Sequence, residues 1–176
     1  FTLIYAGNMG LAQEIDVLIE VVGAFAGSTE IQFVFMGGGV RKADLKKAAR
    51  QTPNVHFMEY QNKDNLCRYL ALADVGIVTL APAMEGLAIP TRTYTYLAAG
   101  LPLLTIADRD SELKKFADLK LSTHFTPDAA EEIISFLKEQ IRRGRKNRRQ
   151  EIRAYFISHF ERRLQTGKYW ELLKDL

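Results

Sequence analysis

A chain of 176 residues with 47% hydrophobic and 26% charged residues and a net charge of +3 has the size and mixture of one soluble domain with a sizeable core. No apolar run approaches the ~20 residues of a membrane span. A lone Cys67 excludes a disulfide framework and a multi-cysteine zinc site, and the scattered His56, His124 and His159 read as packing or surface residues.

In chain order, Thr2–Ala6 is an apolar strand and Gly7–Gly10 a turn. Leu11–Phe25 carries Ile15, Leu18, Ile19, Val22 and Phe25 at helical spacing. Ile31–Met36 is nearly continuous apolar, as a buried parallel strand should be, and Gly37-Gly38-Gly39 ends it. Arg41–Gln51 reads as an amphipathic helix, Val55–Met58 as a strand, Asn62–Leu72 as a helix and Asp74–Leu80 as another buried strand. Ala81–Ile89 has no sustained period and reads as loop. A short helix, Thr91–Ala99, starts after Pro90 and stops at Gly100, and the strand Pro102–Ile106 follows. A helix near Glu112–Ala117, a short last strand within Leu119–Phe125, and helices over Asp128–Ile141, Arg148–Leu164 and Lys168–Leu173 complete the chain.

Repeated strand–helix units predict a doubly wound, Rossmann-like parallel α/β sheet with a helical C-terminal tail. The expected division is a nucleotide-binding unit over 1–145 and a tail over 146–176 packed on it. Phe1–Tyr5 already reads as a strand, without a basic leader or starting Met, so the chain is expected to be a piece of a longer cytoplasmic protein. Six of the eight residues from Arg142 to Arg149 are basic. A solvated helix end explains them. Nucleic acid is not expected, because no aromatics interleave, and an acidic membrane surface is the remaining partner for the run.

Parallel sheets bind ligands beyond the carboxyl ends of their strands, at the switch point. Candidate loops are therefore Gly7–Gly10, Gly37–Gly39, Met58–Gln61, Ala81–Thr91 and Ala107–Ser111. Pro90–Gly100 stands out, since a helix start beside Arg92 suits an anion. Gly7-Asn8-Met9-Gly10 lets backbone approach a phosphate. It is not the dinucleotide fingerprint: Tyr5 stands where the first glycine should be, and no acidic residue closes the second strand. A nicotinamide-dependent oxidoreductase is disfavoured on that ground.

The succession Leu3-Ile4-Tyr5-Ala6-Gly7-Asn8-Met9-Gly10, Phe33–Gly39, Ala73–Val78, Ile89-Pro90-Thr91-Arg92-Thr93-Tyr94 and Leu97–Pro102 resembles the C-terminal, donor-binding half of a GT-B fold glycosyltransferase. It is most similar to the retaining family 4 enzymes of bacterial surface polysaccharide synthesis. The resemblance implies transfer of a sugar from a UDP- or GDP-sugar to a glycan or lipid-linked acceptor, with an acceptor domain outside this chain. It also implies no cofactor or metal, and a site on the cytoplasmic side, with contact of the whole enzyme at the inner face of the membrane. By that likeness Gly7, Asn8, Gly10, Thr91 and Arg92 hold the diphosphate, and Met58, Glu59 and Tyr60 lie against the base. Gly37, Gly38 and Gly39 complete the donor site.

The family's E-x7-E pair is altered. Thr95 stands at the second, ribose-binding glutamate, and Leu87 at the first, with Glu85, the candidate catalytic carboxylate, two residues early. A threonine hydroxyl still bonds a ribose, but without the charge-assisted strength of a carboxylate. The alternative expectation is a non-catalytic nucleotide-binding or regulatory α/β module.

Overall fold

Short apolar runs alternating with amphipathic stretches become six parallel strands flanked by helices in the computed structural model, which describes residues 1–50, 52–144 and 147–174. Strand β1 (Thr2–Ala6) leads to α1 (Asp16–Ala24), β2 (Gln32–Met36), α2 (Lys42–Ala48), β3 (Val55–Met58), α3 (Lys63–Leu72) and β4 (Val75–Thr79). A 3-10 turn at Pro82–Met84 precedes α4 (Arg92–Ala98), β5 (Leu103–Ile106), α5 (Lys114–Asp118), β6 (Ser122–Phe125), α6 (Ala130–Arg143), α7 (Arg149–His159) and α8 (Arg162–Lys174). The sheet order is β3-β2-β1-β4-β5-β6, all parallel, so the chain reverses its direction of winding between β1 and β4.

The period of two along each strand divides the core. Leu3, Tyr5, Ile77 and Leu104 face α1, α2 and α6, where Leu18, Leu45 and Leu137 are buried. Ile4, Val78 and Leu103 face the other helices through Leu70 of α3, Leu97 of α4, Phe116 of α5 and Ile152 of α7. Each such side chain taken fully from water contributes about 1.5–3 kcal/mol.

Three expected boundaries are corrected. The first helix begins at Asp16, not Leu11: Leu11 is exposed, Gln13 N–H turns back to the Gly10 carbonyl at 3.2 Å, and the Ala12 carbonyl accepts from Ala81 N–H at 3.0 Å. The second helix is shorter than 41–51, ending at Ala48, and Gln51 lies outside the described residues. The expected helix 148–164 breaks after His159. Phe160 packs its ring against Tyr94 and Phe116, and α8 starts afresh at Arg162 rather than Lys168.

The expected junction between 145 and 146 lies outside the described residues, as do Arg145 and Lys146 of the basic run. Arg142 and Arg143 of that run pair with Glu139, and Arg148 pairs with Glu151. Among the described residues no helix is long and apolar enough to cross a membrane.

Candidate functional site

The switch point is opened by a side chain. Strands β1 and β4 are in register only at Leu3–Val75 and Ile4–Gly76. Beyond that pair, Ala6 N–H donates to Tyr96 Oη at 2.6 Å. Tyr96 comes from α4, is fully buried, and lies flat against Gly76, where a Cβ would stand 2.3 Å from its ring. Burial pushes its phenol far above the ordinary tyrosine range, so it stays neutral.

Arg92, at the start of α4, is 9% exposed and lies over the buried Tyr5 ring, 4.1 Å from its centroid. Its Nη2 donates to the Asn8 carbonyl at 2.9 Å, which also accepts from Tyr5 Oη at 2.8 Å. Its Nη1 is buried and has no partner. No carboxylate pairs with it among the described residues. Burial raises the Tyr5 phenol, an effect the Arg92 charge opposes. Gly7, at φ +135°, lies so close that a Cβ there would come 3.3 Å from Nη2. The N–H groups of Thr91 and Arg92 carry no hydrogen bond among the described residues.

The β2 loop is fastened to the β1 loop by backbone. Gly7 N–H bonds the Met36 carbonyl at 2.8 Å and Met9 N–H the Gly38 carbonyl at 2.7 Å. A Cβ at Gly37 would lie 2.2 Å from the Gly7 carbonyl oxygen, and one at Gly39 would lie 2.4 Å from that of Met9. Close approach of two loops thus accounts for Gly37 and Gly39. Lys42 Nζ bonds the Gly37 carbonyl at 2.6 Å and Glu59 at 2.8 Å, and its charge lowers the Glu59 carboxyl. Tyr60 spreads its ring over Gly37 and Gly38.

A cavity of about 160 Å³ lies between these loops, lined by Gly7, Tyr60, Gln61, Thr91, Arg92 and Thr95 together with Ala6, Met36, Leu66 and Tyr96. Of the sequence-predicted residues, then, Gly7, Tyr60, Thr91, Arg92 and Thr95 meet around one space. Asn8 supplies the carbonyl beneath Arg92. Met58 and Gly37 are joined through Gly37 N–H to the Met58 carbonyl at 3.0 Å, behind the lining, and Glu59 is turned to Lys42. The buried Gly10 leaves room for the Asn8 side chain, whose Nδ2 a Cβ would meet at 2.6 Å.

Glu85 is outside the lining. It stands beside Asp108 and Asp110, and desolvation and those carboxylates raise its pKa. Among the described residues no group of three or more His, Cys, Asp or Glu could hold a metal ion. Sequence reasoning missed Tyr5 and Tyr96. Two tyrosines at buried positions are a usable signal, since a buried phenol needs a partner.

A second cavity, about 180 Å³, lies at the amino ends of β4–β6 and is lined in part by Phe1, Lys120, Ser122 and Arg148. It is on the wrong edge for a parallel-sheet ligand. Arg148 there is engaged by the Lys120 carbonyl and Glu151.

Residues 1–155 match the family model for glycosyl transferases group 1. The chain is similar to the probable glycosyltransferase WbjE of Pseudomonas aeruginosa, at 27% identity over 65% of this chain and 29% of that protein. Among solved structures it is similar to sucrose-phosphate synthase of Thermosynechococcus elongatus, with a TM-score of 0.75 and 15% identity over 99% of this chain and 45% of that one. The HepE protein of Anabaena, solved in complex with UDP-glucose, superposes with a TM-score of 0.73 at 13% identity, over 100% of this chain and 49% of that one. The chain thus spans less than half the length of each of these proteins, and at such identities the structural likeness speaks to the fold.

Proposed function

The chain belongs to the glycosyl transferases group 1 family, with the Rossmann-like fold of GT-B enzymes, and from that premise we propose that it is the donor-binding half of a retaining glycosyltransferase. The donor is a UDP- or GDP-sugar, the acceptor a glycan or lipid-linked acceptor, and the acceptor domain lies outside this chain. The observation that carries the reading is Arg92. A buried guanidinium without a counter-anion carries a penalty of several kcal/mol, and here Nη1 is left unpaired on a guanidinium that packs against Gly7 at the start of α4, where the N–H groups of Thr91 and Arg92 carry no hydrogen bond among the described residues. A diphosphate entering the cavity supplies the missing negative charge. The HepE complex with UDP-glucose, on the same fold, supports a nucleotide-sugar as that anion.

The chemistry follows from charge. As the bond from the sugar to the diphosphate lengthens, negative charge grows on the leaving oxygens. Arg92 and fixed backbone donors stabilise it more than the ground state, which is how preorganised electrostatics accelerates such a step. The donor is the substrate and no resident cofactor is proposed.

Calorimetric titration with UDP and GDP tests the site. One of the two is expected to bind saturably, and Arg92→Ala to weaken it by about tenfold or more, in line with loss of a charge-assisted contact. Equal, weak affinity of both proteins for every nucleotide removes the reading. One observation favours the alternative of a binding module without turnover: Glu85 stands with Asp108 and Asp110 rather than in the cavity. Transfer by the whole protein that survives Glu85→Gln excludes Glu85 as catalyst, and absence of any transfer by the whole protein establishes the module.

A further inference from the structure

We propose that this site does not select a ribose over a 2′-deoxyribose, so that 2′-deoxyribonucleoside diphosphate sugars belong to its donor class. The inference rests on the donor reading above and concerns one residue position in the cavity. A vicinal diol presents two hydroxyl hydrogens, and a carboxylate takes both at once with its two oxygens. Among the described residues no carboxylate lines the cavity. Of the two carboxylates the sequence offers in the donor loops, Glu59 is paired with Lys42 at 2.8 Å, and Glu85 lies outside the lining beside Asp108.

The polar side chains that do line it offer no such pair of charged oxygens: Tyr60 and Thr91 each bring one neutral hydroxyl on an exposed residue, and the Tyr96 hydroxyl already accepts from Ala6 N–H. Arg92 only donates. The Gln61 amide is engaged at both ends, its oxygen accepting from Asn65 Nδ2 at 3.3 Å and its nitrogen donating to the Glu59 carbonyl at 3.1 Å. Thr95 gives its hydroxyl hydrogen to the Thr91 carbonyl at 3.3 Å and keeps one neutral acceptor atom, on an exposed residue that water reaches. A site built to bond a substrate hydroxyl rejects the analogue lacking it strongly, by about 10⁴-fold, because its own polar group is then left unpaired. A solvent-reached threonine suffers no such loss.

UDP and dUDP differ only in the 2′-hydroxyl and are the probes. Titrated into the protein, they are expected to bind within about threefold of each other, the scale of one exposed neutral hydrogen bond. Thr95→Glu, at an exposed position, is expected to tighten UDP by about tenfold and leave dUDP unchanged. Wild-type preference for UDP beyond about tenfold overturns the proposal. An unchanged ratio in Thr95→Glu overturns its assignment to Thr95. Where GDP is the nucleotide that binds, GDP and dGDP make the same comparison, and saturable binding of none of the four removes the donor reading and this inference with it.

Discussion

On the donor reading proposed above, Arg92 is the residue at which stability and binding oppose one another. Its guanidinium is buried, lies over the Tyr5 ring, donates from Nη2 to the Asn8 carbonyl and leaves Nη1 without a partner. Arg92→Met keeps the volume and removes the unpaired charge, and the Asn8 carbonyl retains its bond from Tyr5. The variant is expected to be as stable as the parent or more stable, by up to about 2 kcal/mol in urea denaturation, while nucleotide binding falls. A large loss of stability refutes the view that Arg92 is kept for a ligand. Gly37 is a position that packing fixes. A Cβ 2.2 Å from the Gly7 carbonyl oxygen, at φ +127°, is expected to make Gly37→Ala lose about 2–4 kcal/mol. His124 sets a pH dependence. Its ring is half-buried between Thr105 Oγ1 at 3.0 Å and the Asp108 carbonyl at 3.2 Å, and burial lowers its pKa. The unfolded chain therefore binds the proton first. Stability is full above the unfolded value of about 6.5 and falls as pH drops through that value towards the depressed folded one. Thermal melts of wild type and His124→Gln between pH 7.5 and about 5 are expected to diverge, the variant showing the shallower loss.

Helix α4 is the element that carries the site, and it is held at both ends. Arg92 in its first turn bonds the loop after β1, and Tyr96 one turn on bonds the end of β1 itself. Its last carbonyls are taken by α7: Arg153 bonds Ala98 at 2.7 Å and Arg149 bonds Ala99 at 3.2 Å, while Arg149 also reaches Leu70 and Ala73 at the end of α3. Cationic donors at a helix C-terminus complement both its dipole and its free carbonyls. Tyr96→Phe keeps the ring on Gly76 but strips the Ala6 N–H of its acceptor. A loss of about 1–3 kcal/mol is expected, with weaker UDP binding because the β1 loop and α4 share that bond. Unchanged UDP affinity together with lower stability confines Tyr96 to the core. Much of this element was legible in the sequence. Pro90 and Gly100 bracketed it, and the apolar runs gave the sheet, because local patterning and buried-strand composition decide those features. What local pattern does not carry was lost. The start of α1 was misplaced because the 11–15 segment is ordered by its bond to Ala81 rather than by its own periodicity, and the α7–α8 break is set by Phe160 finding Tyr94. The role of Arg92 was read from its place at a helix start. Its partner, the Asn8 carbonyl, lies 84 residues away, and only the fold brings the two together.

At the scale of the molecule, the sheet order places every candidate loop on one edge, around the β1–β4 switch point. The β1 and β2 loops are tied by backbone, and α4 is tied to both β1 and α7. A ligand in the cavity meets Gly7 after β1, Tyr60 after β3 and Arg92 of α4, so its binding free energy counts towards the fold as a whole rather than one loop. For a ligand that binds only the native state, a hundredfold excess over Kd adds about 2.7 kcal/mol. For a domain of this size each kcal/mol moves the melting temperature by about 2–4 °C. UDP at that excess is therefore expected to raise the melting temperature of the wild type by about 5–11 °C in a calorimetric scan, and that of Arg92→Ala, at about tenfold lower affinity, by only about 3–6 °C or less. With a UDP-sugar in place of UDP, the protein is expected to show no sugar transfer to a glycan acceptor, because the chain spans only 29% of the transferase relative it matches. Efficient transfer would place an acceptor site within these residues and return Glu85, with its raised pKa beside Asp108, to the reacting centre. A melting shift without transfer would leave the charge of Arg92 as the way this fold holds its donor while the acceptor is supplied from elsewhere.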